Sequence, residues 1–208
     1  MFAALTLWQS KQERRNERIP SMEDKELKAW RKGKRRELLE ARSALDRETR
    51  RQYGARIHRQ LKDLLGDVSG HCVGAYWPFR GEFNVHPLLE ELQASGTSLA
   101  LPVVVEKAEP LEFWSWQPGA PLGRGVWDIP IPAERNPVSP DILLVPLVGH
   151  DDEGYRLGYG GGYYDRTLAQ YKRKPLAIGI GYSLGQLDTI HPQDFDIPMS
   201  RIVTESSG

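Results

Sequence analysis

The sequence predicts an α/β protein in which a largely parallel sheet is covered by helices on both faces. Two patterns carry that prediction. From Cys72 onward, short strand-like runs alternate with helical stretches. Several of these runs, above all Ile142-Leu143-Leu144-Val145, are apolar at every position, as strands buried on both faces are. Length sets the scale: 208 residues are enough for one domain with a sizeable core.

Residues 1–24 are polar and mixed and read as a mobile lead, leaving 25–208 as a single α/β domain. From Asp24 to Leu45 the spacing of Leu27, Trp30, Leu38, Leu39 and Leu45 predicts a helix among many Lys and Arg residues. Asp46 is suited to cap a second helix, whose buried face would hold Tyr53, Ile57, Leu61, Leu64 and Leu65 and which Gly66 would close. Strands are expected at Cys72–Trp77, Leu99–Val105, Leu111–Trp116, Ile142–Val145 and Leu176–Ile180, with a short last one at Ile202–Thr204. Helices are expected from Pro87 to Ala94 and from Tyr163 to Tyr171, and a Pro- and Gly-rich connection from Pro118 to Pro140.

Composition excludes several functional classes. A single cysteine, Cys72, leaves no disulfide framework and no zinc site of several cysteines, and it fits a reducing cytoplasm. The apolar run from Ile142 to Val148 is too short to span a bilayer, and the first ten residues lack a basic start, so neither a membrane nor a secretory signal is expected. Of 28 basic and 28 acidic residues, 18 and 10 lie within 1–66, so the remainder is acidic. That asymmetry suggests a phosphate-bearing partner at the N-terminal part, although a solvated helical face accounts for most of these charges. No nucleic-acid motif accompanies it, and the isoelectric point is near 7.0.

The chemistry is concentrated in Asp141–Leu168, where an apolar strand leads to a glycine-rich loop and then a helix. Gly158, Gly160, Gly161 and Gly162 let backbone N–H groups approach an anion, and the helix start adds partial positive charge. Arg156 offers a fork of donors for phosphate oxygens. Asp165 lies in the first helical turn, where a carboxylate can reach a magnesium ion on the same phosphates. The plain structural alternative is a glycine turn with Asp165 as a helix-end charge. No Gly-Lys-Ser/Thr ends the loop, so it is not a Walker A element. Gly179, Gly181 and Gly185 mimic a dinucleotide loop, but only 23 residues follow, too few for the helix, strand and acidic ribose contact of that fold. The five histidines have no metal-ligand spacing, Asp151-Asp152-Glu153 reads as a turn, and Cys72 reads as a small buried residue.

The stretch RLGYGGGYYDR, Arg156 to Arg166, resembles the signature of the 5-formyltetrahydrofolate cyclo-ligase family. Further matches follow the family's order: Arg31 and Arg35, Tyr76 through Glu82, Leu101-Pro102, Trp127-Asp128-Ile129-Pro130, and Asp196 through Glu205. Two departures stand out. Arg31 replaces a frequent lysine, and Gly161 stands where some members carry a loop lysine.

The resemblance implies a three-layer fold like that of the NagB/RpiA/CoA-transferase group. It implies a cytoplasmic monomer that converts 5-formyltetrahydrofolate to 5,10-methenyltetrahydrofolate with ATP and magnesium, or else a non-catalytic folate- or nucleotide-binding relative. ATP would be bound by Arg31, Arg35, Arg156, Leu157, Gly158, Tyr159, Gly160, Gly161, Gly162, Tyr163 and Tyr164. Trp77, Glu82 and Tyr163 would bind folate, with Glu82 accepting from the pterin. Asp165 and Asp196 would hold Mg2+, and Arg156 and Asp165 would be the catalytic pair. Tyr76, Trp77 and Phe79 would wall the folate, although core packing accounts for at least half of them.

Overall fold

The computed structural model describes residues 23–207. The expectation of a mobile lead therefore falls outside the described residues, apart from its last two positions. Helix α1 (Asp24–Ala44) and helix α2 (Arg47–Leu65) meet at Asp46, whose carboxylate caps α2 by accepting from Thr49 N. Gly66 ends α2 in the left-handed region at φ 56°, where a side chain would be strained. Ile57, Leu61 and Leu65 face the core as their spacing demands. Leu64 does not: it is 39% exposed, because it lies one residue off the buried stripe.

The remaining elements are β1 (Cys72–Gly74), α3 (His86–Ala94), β2 (Ser98–Val103), β3 (Glu112–Trp116), β4 (Leu122–Arg124), β5 (Pro130–Pro132), β6 (Pro137–Val138), β7 (Ile142–Pro146), β8 (Gly149–His150), β9 (Arg156–Leu157), α4 (Tyr163–Gln170), β10 (Leu176–Ile180) and β11 (Arg201–Val203). One seven-stranded sheet runs in the order β11-β10-β7-β1-β2-β3-β6. Strands β11, β10, β7, β1 and β2 are parallel, with β3 and β6 added antiparallel at one edge.

Alternate residues of each central strand enter opposite cores, as a period of two requires. Leu144, Ile178, Ile180, Leu99 and Leu101 pack with α2 and α3. Leu143, Val145, Ala177 and Ala100 pack with Leu168 of α4. The three-layer arrangement expected from the continuous apolar strands is thus present. A third, smaller cluster of Leu38, Val148, Leu157 and Ile190 seats α1 beside the β8–β9 hairpin.

Some expected boundaries move. Strand β1 stops at Gly74, three residues early, and the chain turns through Pro78 to left-handed Arg80 and Gly81. The Pro- and Gly-rich connection at 118–140 carries the β4–β5 hairpin and the edge strand β6. Gly179 and Gly181 have a packing role: a Cβ there would come within 2.8 and 2.2 Å of Leu147 side-chain atoms. A 3-10 turn and β11 follow them, with no helix of the dinucleotide-binding kind.

Candidate active site

A cleft of about 410 Å³ opens at the carboxyl end of the parallel strands, where ligands of open α/β sheets bind. The chain after β1 supplies Tyr76, Trp77, Phe79 and Glu82. The end of β2 supplies Pro102 and Val104, and the end of β7 supplies Pro146. Helix α1 brings Arg31 and Arg35 across the opening, and residues 156–165 form another wall. Every residue expected at the site therefore lies on one cleft, although the expectations came from segments more than 100 positions apart.

The glycine loop is built for close approach. Gly160 (φ 97°) and Gly162 (φ 65°) are left-handed, and Gly162 precedes the first residue of α4. A Cβ at Gly160 would stand 3.3–3.4 Å from the Arg35 guanidinium. Arg35 is anchored there by donating from Nε to the Gly158 carbonyl at 2.8 Å. Partial burial and the nearby Arg31 charge lower its pKa, but an arginine remains a cation at neutral pH. A side chain at Gly161 would come within 2.7 Å of the Tyr163 ring. Beside Gly161 lies Arg166, which the sequence did not single out as a site residue. Its guanidinium donates to the Gly161 carbonyl and lies 5.3 Å from the Tyr163 ring centre.

Two other arginines are occupied within the protein. Arg31 donates to the Ile190 and His191 carbonyls and pairs with Asp196 at 2.6 Å. Arg156, 8% exposed, donates to the Ile197 carbonyl at 2.7 Å and pairs with Asp165 at 2.9 Å. Both guanidinia tie the segment 190–197 to the rest of the site. The expectation of Arg31 and Arg156 as phosphate forks meets this geometry: Arg31 makes four such contacts, and Arg156 makes two, one through each terminal nitrogen.

The aspartates differ in what remains to them. Asp196 uses both oxygens, accepting from Arg31 at 3.4 and 2.6 Å and from Gln193 N at 2.7 Å. It is the counter-ion of Arg31, and both of its oxygens are engaged within the protein. Asp165 takes both recorded contacts, Arg156 Nη2 and Ile197 N, on Oδ1. Among the described residues, no three His, Cys, Asp or Glu side chains are grouped so as to hold a metal ion. A magnesium ion here would depend on ligand phosphates plus one carboxylate, a set that Asp165 fits. Asp151, in the acidic run expected to be a turn, is buried and accepts from the N–H groups of Glu153, Tyr155 and Ile190.

The opposite wall carries Glu82. Left-handed Arg80 and Gly81 turn the chain so that Glu82 Oε2 accepts from Phe79 N at 2.9 Å. Its Oε1 accepts from the Tyr159 hydroxyl at 2.7 Å. Burial pushes the Glu82 pKa above the usual carboxylate range, against the opposing effect of these hydrogen bonds. Trp77 packs edge-on to His86 at 4.3 Å and lines the cleft. Tyr76 is a core residue at 2% exposure, with its hydroxyl donating to the Phe83 carbonyl. Tyr164 is also packed inward, and burial raises its pKa. Tyr163 instead meets Trp127 edge-on at 6.1 Å. Trp127 and Phe195, 61% and 68% exposed, form an apolar rim to the cleft. Phe195 and the buried Arg42, which donates to the Tyr159 hydroxyl at 2.6 Å, carried no signal in the sequence reading.

A family model described as the 5-formyltetrahydrofolate cyclo-ligase family matches residues 27–205. The 5-formyltetrahydrofolate cyclo-ligase of Escherichia coli (strain K12) is 32% identical over 178 residues, covering 81% of this chain and 97% of that protein. The NMR structure of Aquifex aeolicus 5,10-methenyltetrahydrofolate synthetase aligns with a TM-score of 0.73 at 34% identity, covering 85% of this chain and 90% of that one. The Mycoplasma pneumoniae 5,10-methenyltetrahydrofolate synthetase aligns with a TM-score of 0.71 at 26% identity, covering 85% and 99%. The matched span holds the glycine loop, both arginine–aspartate pairs and the Glu82 turn, and the chain belongs to the 5-formyltetrahydrofolate cyclo-ligase family.

Proposed function

We propose that this cleft converts 5-formyltetrahydrofolate to 5,10-methenyltetrahydrofolate at the expense of ATP. The observation that carries the reading is the pairing, across one cleft, of a phosphate-type glycine loop with an aromatic wall that ends in a half-buried carboxylate. The loop N–H groups and Arg35 would hold the ATP phosphates. Glu82 would accept from the pterin's amino and ring N–H groups, with Trp77 and Tyr163 as apolar walls and the Trp127–Phe195 rim above.

The formyl oxygen is a poor leaving group because it belongs to an amide. Its attack on the γ-phosphorus forms an O–P bond as the bond to the departing ADP oxygen breaks. N10 then attacks the activated carbon, the C–O bond breaks, and inorganic phosphate leaves with the former formyl oxygen. N10 loses its proton to solvent, so no strong protein base is needed. The protein's work is alignment and charge neutralisation. Arg35 and the loop supply the neutralisation directly. Arg156 and Arg31, whose donors hold Asp165, Asp196 and segment 190–197, act by keeping the loop's far side in place. Mg2+ would be held by Asp165 together with the phosphates, where it would neutralise the transferring charge.

Among the described residues no helix is long and apolar enough to cross a membrane. A cytoplasmic monomer acting on small molecules, with no nucleic-acid partner, completes the proposal.

The test is the appearance of methenyltetrahydrofolate absorbance on mixing the protein with 5-formyltetrahydrofolate, ATP and Mg2+. Turnover that needs all three supports the reading. Binding of folate and nucleotide with no absorbance change would identify the non-catalytic relative instead.

A further inference from the structure

Helix α1 carries eight Lys and Arg residues, and one of them, Arg42, is buried in its last turn at 3% exposure. A buried guanidinium is costly unless its donors are met. Arg42 Nε donates to the Arg80 carbonyl at 3.0 Å, and Nη2 donates to the Tyr159 hydroxyl at 2.6 Å. A weaker contact runs from Nη1 to the Leu147 carbonyl at 3.4 Å. Arg42 thus joins α1, the Glu82 turn, the end of β7 and the glycine loop, yet the reaction described above does not use it.

We propose that Arg42 is a positioning residue for the pterin: by donating to the Tyr159 hydroxyl it directs that hydroxyl's only proton onto Glu82 Oε1. The proposal rests on the reading of Glu82 as the pterin acceptor. The inference follows from donor counting. Arginine has five N–H donors and no acceptor, whereas a tyrosine hydroxyl has one proton. In the Arg42–Tyr159 contact the hydroxyl must accept. Its proton is then committed to the 2.7 Å contact with Glu82. Without Arg42 the hydroxyl is a free rotor that can turn its lone pairs toward Glu82 or its proton toward solvent.

The directed proton has two effects. It stabilises the ionised carboxylate, which burial disfavours. It also fixes the carboxylate plane together with the Phe79 N–H, so that the remaining lone pairs point in a constant direction. The titratable and charged groups coupled to Glu82 are Arg42 from α1, whose charge favours the carboxylate, and Tyr159, Tyr164, Tyr76 and Tyr182, whose hydroxyl pKa values the Glu82 charge raises. Arg42 is the cation among them. The Arg42 guanidinium carbon lies 5.8 Å from the Tyr159 ring centre, so the ring and the hydroxyl are held by the same side chain.

The experiment is a double-variant cycle of Arg42→Lys and Tyr159→Phe, read as folate KM, ATP KM and kcat, with melting curves on each protein. Arg42→Lys keeps the buried charge and loses the fork. Each single variant is expected to raise folate KM by about fivefold or more with ATP KM unchanged. The double variant is expected to lie within about twofold of Tyr159→Phe, because the arginine acts through the hydroxyl. Factors that multiply, or an Arg42→Lys that lowers the melting temperature and leaves folate KM untouched, would overturn the proposal.

A second arm needs no turnover. Carboxyl-13C glutamate NMR of the substrate-free protein, with Glu82 assigned by Glu82→Gln, should show the Glu82 pKa rising in both single variants. An unmoved Glu82 titration in Arg42→Lys would also sink it. If the wild type fails to turn over 5-formyltetrahydrofolate, the functional reading falls, and this titration still decides the role of Arg42.

Discussion

The two walls of the cleft hold their carboxylates in different ways. On the loop side, Asp165 and Asp196 are each paired with a buried or half-buried arginine at 2.9 and 2.6 Å. On the opposite side, Glu82 is held by a tyrosine hydroxyl and a backbone N–H, with the Arg42 guanidinium one hydrogen bond further away. A carboxylate paired with an arginine has its charge neutralised and its ligand-binding capacity reduced. A carboxylate held by neutral donors keeps a full charge and spare lone pairs in a dry place, where a hydrogen-bonding ligand gains most. The loop wall is therefore fastened by its charges, and the Glu82 wall is poised by them.

The largest effect that sharpens this contrast is expected at Asp165. Asp165→Asn keeps an acceptor for Ile197 N but takes the partner charge from Arg156, whose side chain is only 5% exposed. Breaking such a pair costs about 3–5 kcal/mol, so the melting temperature falls, unlike that of a simple helix-end substitution. It should also lower kcat on the order of a hundredfold and shift the magnesium dependence of the initial rate. Asp196→Asn should lower the melting temperature comparably and leave magnesium dependence alone. Equal magnesium behaviour in the two variants would erase the distinction drawn between them.

Arg35 comes next. Arg35→Ala should raise ATP KM and lower kcat, with a combined loss on the order of 10- to 100-fold in kcat/KM for ATP and little change in folate KM. An effect confined to folate would place Arg35 on the other wall.

Glu82→Gln should raise folate KM by about tenfold and spare ATP KM. A pH profile sharpens the same point. Burial raises the Glu82 pKa above its unfolded value, so protonation removes the acceptor as pH falls, starting above the ordinary glutamate range. Folate KM in the wild type should rise on acidification from neutrality, and the Gln variant should lack that rise. The linked stability term has the opposite sense. A carboxyl with a raised folded pKa favours the folded state at acid pH, and that contribution is lost as pH climbs through the folded value.

The smallest effect is expected from removing residues 1–21, which precede the family match beginning at residue 27. Turnover within about twofold of the full chain is the expected result, checked by the absorbance assay on both proteins.

Much of the frame was legible locally. The helix-spaced leucines of α1 and α2, the Asp46 cap, the apolar run of β7 and the five residues of β10 are patterns a few positions long. So was the glycine loop as a loop, because glycines clustered between an apolar strand and a helical stretch interrupt both patterns. Boundaries such as the end of β1 were less legible, since the left-handed turn at Arg80-Gly81 has no run of turn residues before it.

What tertiary structure alone decided is the fate of each charge. Arg31, Arg35 and Arg42 sit on one helix and look alike as letters in a basic run. In the fold, one clamps Asp196 from 165 positions away, one lies on the glycine loop, and one orients a tyrosine 117 positions away. The physical reason is range. Backbone propensity and hydrophobic period act over a few residues and are written in order along the chain. The partner of a buried charge is set by where distant segments meet, and desolvation makes that partner decide whether the group fastens the protein or serves the ligand.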